Sequence, residues 1–251
     1  MGVDVGEKLI CKSLDLDGVN DYISNGVYPN PFSGNEIFNF EINNQFSISV
    51  WFKIDTLPFT IYTIISKYDP STDRGYGIEI NGSGIVSFFI IDGGKRMVVK
   101  SSQQIIPDVW YNVIVTYNGS GSYLGQNIYI NSINDTVVKT AGVPTTIQVP
   151  NAPLEICRLN FLGGSRYVDG LIANVRIWNT ELTQTNVNTE YNNGFGRLKP
   201  ILPNNCKLDL NMSKSVWDGS KFLVKNNTNL TSDFESINMS ESSLINECYQ
   251  I

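Results

Sequence analysis

The 251-residue chain predicts an all-β protein, an antiparallel two-sheet β-sandwich with one short helix and a C-terminal appendage. Three observations predict it: apolar residues recur with period two, reversals rich in glycine and asparagine separate the runs, and helical spacing occurs once. Ile48, Val50, Phe52 and Ile54 alternate with Ser47, Ser49, Trp51 and Lys53, the pattern of a half-buried strand. Trp110 to Tyr117 repeats it, with Tyr111, Val113, Val115 and Tyr117 on one face. Tyr76-Ile78-Ile80, Ile128-Ile130, Leu159-Phe161 and Leu171-Ala173-Val175-Ile177 are further alternating runs. Asn81-Gly82-Ser83-Gly84, Asp92-Gly93-Gly94 and Asn118-Gly119-Ser120-Gly121 supply the reversals between them. From Leu182 to Asn193, Leu182, Asn186 or Val187, and Tyr191 fall at helical spacing, with Thr183 or Thr185 as N-cap.

Three regions follow: an N-terminal arm over 1–11, a sandwich over 12–197, and an appendage over 198–251. After Gly194-Phe195-Gly196 the apolar runs shorten amid Asn, Ser and Thr. Leu208, Leu210, Trp217, Phe222, Leu223 and Val224 are too few for a second core, so this segment is expected to pack on the sandwich or on a partner. No internal repeat is visible.

Composition narrows the classes of function. Hydrophobic residues at 41% and charged residues at 17% describe an ordered globular protein with an uncharged polar surface. A net charge of -6 leaves no basic stripe for phosphates, which excludes nucleic acid as the expected partner. The first eight residues lack the basic region and apolar run of a signal peptide, and no apolar run reaches the roughly 18 to 20 residues that span a bilayer. A soluble chain without membrane insertion is expected. Cys11, Cys157, Cys206 and Cys248 form no C-x-x-C pair and are expected as buried thiols. Asn-x-Ser/Thr triplets begin at Asn81, Asn118, Asn134, Asn211, Asn226, Asn229 and Asn238, and in the absence of a secretion signal they read as products of composition.

Three segments, Ser13-Leu14-Asp15-Leu16-Asp17-Gly18-Val19-Asn20-Asp21-Tyr22-Ile23, Phe46-Ser47-Ile48-Ser49-Val50-Trp51-Phe52-Lys53 and Asp169-Gly170-Leu171-Ile172-Ala173-Asn174-Val175-Arg176-Ile177-Trp178-Asn179, together resemble the laminin G-like branch of the concanavalin A-like lectin and glucanase superfamily. The resemblance covers roughly residues 12 to 195. It implies a two-sheet concanavalin A-like jelly roll, a central hairpin from Trp110–Tyr117 to Ile128–Asn131, and pairing of an early strand near Val175-Arg176-Ile177. The Asp17–Asp21 stretch reads as a hairpin turn between Leu14-Leu16 and Tyr22-Ile23.

Catalysis finds little support. The chain has no histidine, which removes Ser-His-Asp and Cys-His machinery and the usual zinc sites. Glycoside hydrolysis, known in the superfamily, needs two facing carboxylates. Glu79 stands between Ile78 and Ile80, Glu155 sits beside Ile156-Cys157, and Glu235 and Glu241 fall in the appendage. The expectation is therefore no enzyme.

Calcium is the one cofactor the resemblance brings, with Asp17, Asp21 and Asp169 as candidate ligands weighed against a purely structural turn. Glycan binding requires an aromatic platform with hydrogen-bonding neighbours. Trp51, Trp110 and Trp178 read as core residues, whereas Tyr62, Tyr68, Tyr76, Tyr123 and Tyr167 fall in or near expected loops. Arg166-Tyr167 beside Asp169 is the preferred cluster.

The resemblance implies two functional readings. The first is a structural or attachment protein of a virion, that of a tailed phage, homo-oligomeric, made in the host cytoplasm and able to bind glycans. The alternative is a free carbohydrate-binding module or lectin, extracellular or at a cell surface.

Overall fold

A computed structural model describes residues 12–147, 149, 151–161 and 164–247. The arm expected over 1–11, with Cys11, and also Cys248 lie outside the described residues. Two antiparallel sheets pack into a sandwich, one of eight strands and one of ten. The eight-stranded sheet runs Ile133–Asn134, Gln126–Ile130, Tyr111–Tyr117, Phe46–Ile54, Asp169–Trp178, Ser13–Asp17, Leu244–Ile245, with Cys206–Asn211 also paired to Asp169–Trp178. The ten-stranded sheet runs Thr136–Ala141, Lys95–Gln104, Ile85–Asp92, Arg74–Asn81, Ile61–Asp69, Leu154–Ile156, Tyr22–Ser24, Phe234–Ile237, Phe222–Val224, Val216–Trp217.

The inward faces are those the alternation marked. Ile48, Val50, Phe52 and Ile54 meet Ile78, Ile80, Phe88, Ile90 and Val99 in one apolar cluster, each such side chain contributing about 1.5–3 kcal/mol on burial. Phe46 lies at its aromatic centre, stacked on Phe40 at 4.6 Å and edge-on to Phe88 at 5.9 Å and Tyr117 at 5.7 Å. Tyr76, expected near a loop, is instead fully buried here. Its hydroxyl donates to the Phe38 carbonyl at 2.9 Å, which satisfies the one polar group it brings inside.

The long strand Asp169–Trp178 departs from simple alternation. A register shift between Ile172 and Asn174 leaves Ala173 unpaired against Phe46–Ile54, a β-bulge that exchanges the faces. Ile172, Val175 and Ile177 therefore enter the central core, while Leu171 and Ala173 join Trp51 and Trp110 on the outer face. The alternating run Leu171-Ala173-Val175-Ile177 thus changes face at the bulge.

The Asp17–Asp21 reversal joins two sheets, and its reading as a hairpin is also corrected. Ser13–Asp17 pairs with the first half of Asp169–Trp178, whereas Tyr22–Ser24 pairs with Leu154–Ile156 and Phe234–Ile237 in the opposite sheet. Both sheets bury one face, so a chain leaving Leu16 has a core-facing place to continue on either. The second half of the long strand, Asn174 to Trp178, pairs with Cys206–Asn211.

One α-helix spans Gln184–Tyr191, with Thr183 as N-cap and Asn186 completing a capping box. It covers the outer face of the eight-stranded sheet, where Tyr191 stacks on Trp51 at 5.7 Å and Val187 packs with Trp178 and Leu182. Residues beyond 198 continue both sheets. Their attachment is ionic as well as apolar: the buried Arg176 guanidinium pairs with Glu190 of the helix and, through Nε at 2.7 Å, with Asp209. Among the described residues no helix is long and apolar enough to cross a membrane.

Candidate functional site

The two outer faces of the sandwich are covered unequally. Over the ten-stranded sheet lies a hairpin, Arg158–Phe161 paired with Gly164–Tyr167, that roofs only part of the surface. Between hairpin and sheet runs a cleft of about 390 Å³.

Sheet register assembles its floor in rows. Glu79, Ser87 and Lys100 stand side by side, then Gly77, Phe89 and Val98, then Gly75, Ile91 and Arg96. Side chains one row apart in a strand are two residues apart and share a face, so Glu79, Ser87, Phe89, Ile91, Arg96, Val98 and Lys100 all line the cleft. Gly77 makes this possible, because a Cβ there would lie 2.7 Å from the Phe89 ring and 2.5 Å from the Ile65 carbonyl oxygen. The hairpin adds Leu159, Phe161 and Arg166, and Leu159 packs with Phe89 and Ile91.

Four of the charged groups in the cleft are held in pairs. Arg166 pairs with Glu79, and its guanidinium lies 4.9 Å from the Phe161 ring centroid. Burial raises the Glu79 carboxyl above the ordinary carboxylate range, and Arg166 pulls it part of the way back. Asp73 accepts from the Tyr68 hydroxyl at 2.9 Å and lies 3.7 Å from Arg96. Burial, together with that bond to an anion, pushes the Tyr68 phenol up to about 12.

The preferred cluster Arg166-Tyr167-Asp169 divides among three places. Arg166 enters the cleft. Tyr167, next in the strand, turns to the other side and packs 6.2 Å from Tyr22, with the Arg158 guanidinium 4.4 Å over the Tyr22 ring and 6.0 Å from that of Tyr167. Arg158 in turn holds Glu155 at 2.8 Å and so anchors the base of the hairpin. Asp169 belongs to the eight-stranded sheet, opposite Asp17, and accepts from the Thr56 hydroxyl at 2.9 Å.

Asp17 and Asp21, weighed as calcium ligands, close a turn through backbone amides. Asp17 Oδ1 accepts from the backbone amides of Val19, Asn20 and Asp21 at 2.8, 3.1 and 3.4 Å, and Asp21 Oδ2 accepts from the Asp17 amide at 3.3 Å. Asp21 Oδ1 is buried without a hydrogen-bond partner among the described residues. Among the described residues no group of three His, Cys, Asp or Glu side chains is gathered so as to hold a metal.

Of the carboxylates weighed as catalytic acids three are engaged, Glu79 with Arg166, Glu155 with Arg158, and Glu235 with Lys221 at 2.7 Å, while Glu241 is exposed in the appendage. Sequence reasoning named Arg166, Tyr68 and Glu79 but missed Phe89, Phe161, Arg96 and Lys100. A signal for the cleft was present in the charged residues Glu79, Arg96 and Lys100, set among apolar strand residues.

The two-sheet jelly-roll sandwich is a lectin-like fold. A laminin G-type family model of the concanavalin A-like lectin/glucanases superfamily matches residues 24–188, and the chain belongs to that superfamily. No curated protein matches the chain in sequence. Among solved structures it is similar to a candidate carbohydrate-binding protein from Bacteroides ovatus, with 15% identity, TM-score 0.63, and coverage of 96% of this chain and 61% of that one. The heptameric SAP-like pentraxin of Limulus polyphemus is similar at 13% identity and TM-score 0.54, covering 88% of this chain and 95% of the pentraxin. The carbohydrate-binding module CBM40 of the Ruminococcus gnavus IT-sialidase, bound to α2,3-sialyllactose, has 13% identity and TM-score 0.52, with 71% and 96% covered. At these identities the likeness is one of fold. The chain spans about three fifths of the length of the Bacteroides ovatus protein.

Proposed function

We propose that this chain is a non-catalytic glycan-binding domain whose ligand lies in the cleft between the Arg158–Tyr167 hairpin and the ten-stranded sheet. The observation that carries the reading is the juxtaposition of an aromatic and aliphatic lining, Tyr68, Phe89, Phe161 and Ile91, with the hydrogen-bonding groups of Asn81, Arg96 and Lys100. A sugar presents an apolar ring face and a rim of hydroxyls, and needs both kinds of partner. Superfamily membership supports the reading, as does the ligand of the Ruminococcus gnavus module. The absence of catalysis rests on the carboxylates: a glycosidase needs one free to attack or to activate water, and Glu79 is bound to Arg166. In the virion setting, the same cleft would grip host glycans while the chain assembles with itself or with other particle proteins.

The test is a glycan array on purified protein, followed by titration calorimetry of the best binder against Phe161→Ala and Arg96→Ala. Each substitution is expected to weaken binding about tenfold, the loss of roughly 1.4 kcal/mol of stacking or of a charge-assisted hydrogen bond. A chelator is expected to leave the affinity unchanged. Unaltered affinity in both variants would remove the ligand from this cleft, and release of reducing sugar from the bound glycan would overturn the non-catalytic reading. Light scattering on the same sample separates the settings: an oligomer favours particle assembly, a monomer the free module.

A further inference from the structure

A second concavity lies outside the matched segment, at the junction of the appendage with the sandwich. It is a groove of about 630 Å³ between the Leu198–Asn204 connection and the Asn227–Leu230 loop. Three lysines, Lys199, Lys207 and Lys214, line it in a chain whose net charge is -6. None of the three forms an ion pair among the described residues: Lys207 Nζ donates to the Asn204 carbonyl and Lys214 Nζ to Asn227 Oδ1, each at 3.3 Å, both neutral acceptors. The one carboxylate in the lining, Asp209, is buried and held by Arg176. The groove is thus a locally cationic patch on an acidic protein, which attracts anions at a range set by ionic strength.

Its apolar lining decides which anion. Leu198 and Leu230 are 44% and 48% exposed and stand with Pro200 and Pro203, while no aromatic side chain lines the groove. A sugar ring therefore finds no stacking platform here, and nucleobases find none either. Exposed aliphatic side chains rimmed by lysines match a peptide that carries both acidic and aliphatic residues. Leu202, between the two prolines, is 40% exposed with a φ of 46°, in the left-handed region that a leucine rarely adopts. It adds apolar surface beside the groove.

We propose that this groove binds an acidic, leucine-containing segment of a partner protein, held by Lys199, Lys207 and Lys214 against Leu198 and Leu230. The site is separate from the glycan cleft, and its failure and that of the cleft are independent.

The experiment is fluorescence anisotropy of the full chain with a labelled octapeptide of alternating Asp and Leu, at low and at physiological salt. Expected is saturable binding that weakens with salt and falls at least about tenfold in Lys207→Gln/Lys214→Gln, with unchanged circular dichroism. Lys199→Glu, at an exposed position, gives the same direction in a variant that leaves the fold untouched. Phe161→Ala in the glycan cleft is expected to leave peptide binding intact. Replacing Leu by Ser in the peptide is expected to lose most of the affinity, since charge alone then remains. The inference is overturned if the peptide does not bind, if the lysine variants bind it equally, or if a sulfated polysaccharide or single-stranded DNA binds these lysines more tightly. It is also overturned if the lysine variants abolish a dimer of this chain seen by light scattering, because the occupant would then be a second copy.

Discussion

Lys67 is fully buried, and its ammonium donates to Asn35 Oδ1 at 3.0 Å and to the Ala152 carbonyl at 2.5 Å. Both acceptors are neutral, and burial lowers the lysine from its ordinary 10.5 to about 7 against an opposing pull from Glu36. A lysine with a lower pKa folded than unfolded binds fewer protons in the native state, so its contribution to stability rises with pH from about 7 to about 10.5. Below about 7 the burden is complete, and above about 10.5 it is gone. At about 1.4 kcal/mol per pH unit it amounts to roughly 5 kcal/mol as an upper bound. Lys67→Met removes the charge and keeps the length. Asn35 Oδ1 still accepts from Asn25 Nδ2 and the Ala152 carbonyl from Asn35 Nδ2, each at 3.0 Å, so neither acceptor is orphaned. The variant should be more stable than the parent by about 3 kcal/mol at pH 6, the remainder being offset by two lost hydrogen bonds. By the same arithmetic the gain should vanish near pH 9 and reverse by about 1 kcal/mol at pH 10, where little of the desolvation burden remains and the lost hydrogen bonds still count. Urea unfolding of both proteins at pH 6, 8 and 10 measures the difference. A variant less stable than the parent at pH 6, or a gap that does not change with pH, would refute the reasoning and show that the lysine's hydrogen bonds outweigh its desolvation.

Two further substitutions probe the frame. Arg176→Met leaves the buried carboxylates of Glu190 and Asp209 without their cation and is expected to cost about 3–5 kcal/mol, read as a lower urea midpoint together with earlier proteolysis of the segment after 198. Intact stability would mean that the appendage is held by apolar packing alone. Gly18→Ala forces a positive φ of 70° on alanine and brings a Cβ within 2.8 Å of Asp169 Cβ; a loss of about 2 kcal/mol is expected, and an unchanged thermal midpoint would show that the turn relaxes.

How much of this could be seen in the chain depends on how many faces each element buries. Phe46–Ile54 and Tyr111–Tyr117 show alternation because each puts one kind of residue in the core, and the helix announces itself through Thr183 and Asn186. The bulge at Ala173 leaves no mark, since Leu171, Ile172, Ala173 and Val175 are apolar whichever way they face. The crossing from Leu16 to Tyr22 is equally silent, because a tight reversal within a sheet and one between sheets use the same Asp-Gly chemistry. The cleft was harder still. Ile85–Asp92 is buried almost throughout, inward by the core and outward by the hairpin, so its near-continuous apolar run hides the fact that Ser87, Phe89 and Ile91 line a cleft. Arg166 and Tyr167 are neighbours in sequence, and strand geometry alone sets them on opposite sides of the hairpin.

That unequal covering also argues for where the ligand goes. Both sheets carry apolar side chains on their outer faces, which a simple sandwich would leave polar. On the eight-stranded sheet Tyr191 of the helix stacks on Trp51 and Val187 packs with Trp178. Ile245 packs against the cluster of Trp110 and Leu171, Trp110 Nε1 donates to Glu247 Oε1 at 3.2 Å, and Trp178 Nε1 donates to the Ile201 carbonyl at 2.8 Å. Every large side chain there is nearly inaccessible, and the face serves to bind the C-terminal segment. On the ten-stranded sheet the cover is a single short hairpin, which buries Phe89 and Leu159 yet leaves Arg96, Lys100 and the Phe161 ring at an open margin. An apolar face that is only partly roofed can close over a ligand at small structural cost, since the hairpin base is already fixed by Arg158 between Tyr22, Tyr167 and Glu155. Recognition is therefore expected to depend on the hairpin: Arg158→Ala, which touches no residue of the cleft floor, should weaken glycan binding through loss of that anchor. If it leaves binding intact while Phe161→Ala abolishes it, the hairpin is held by its strand pairing alone.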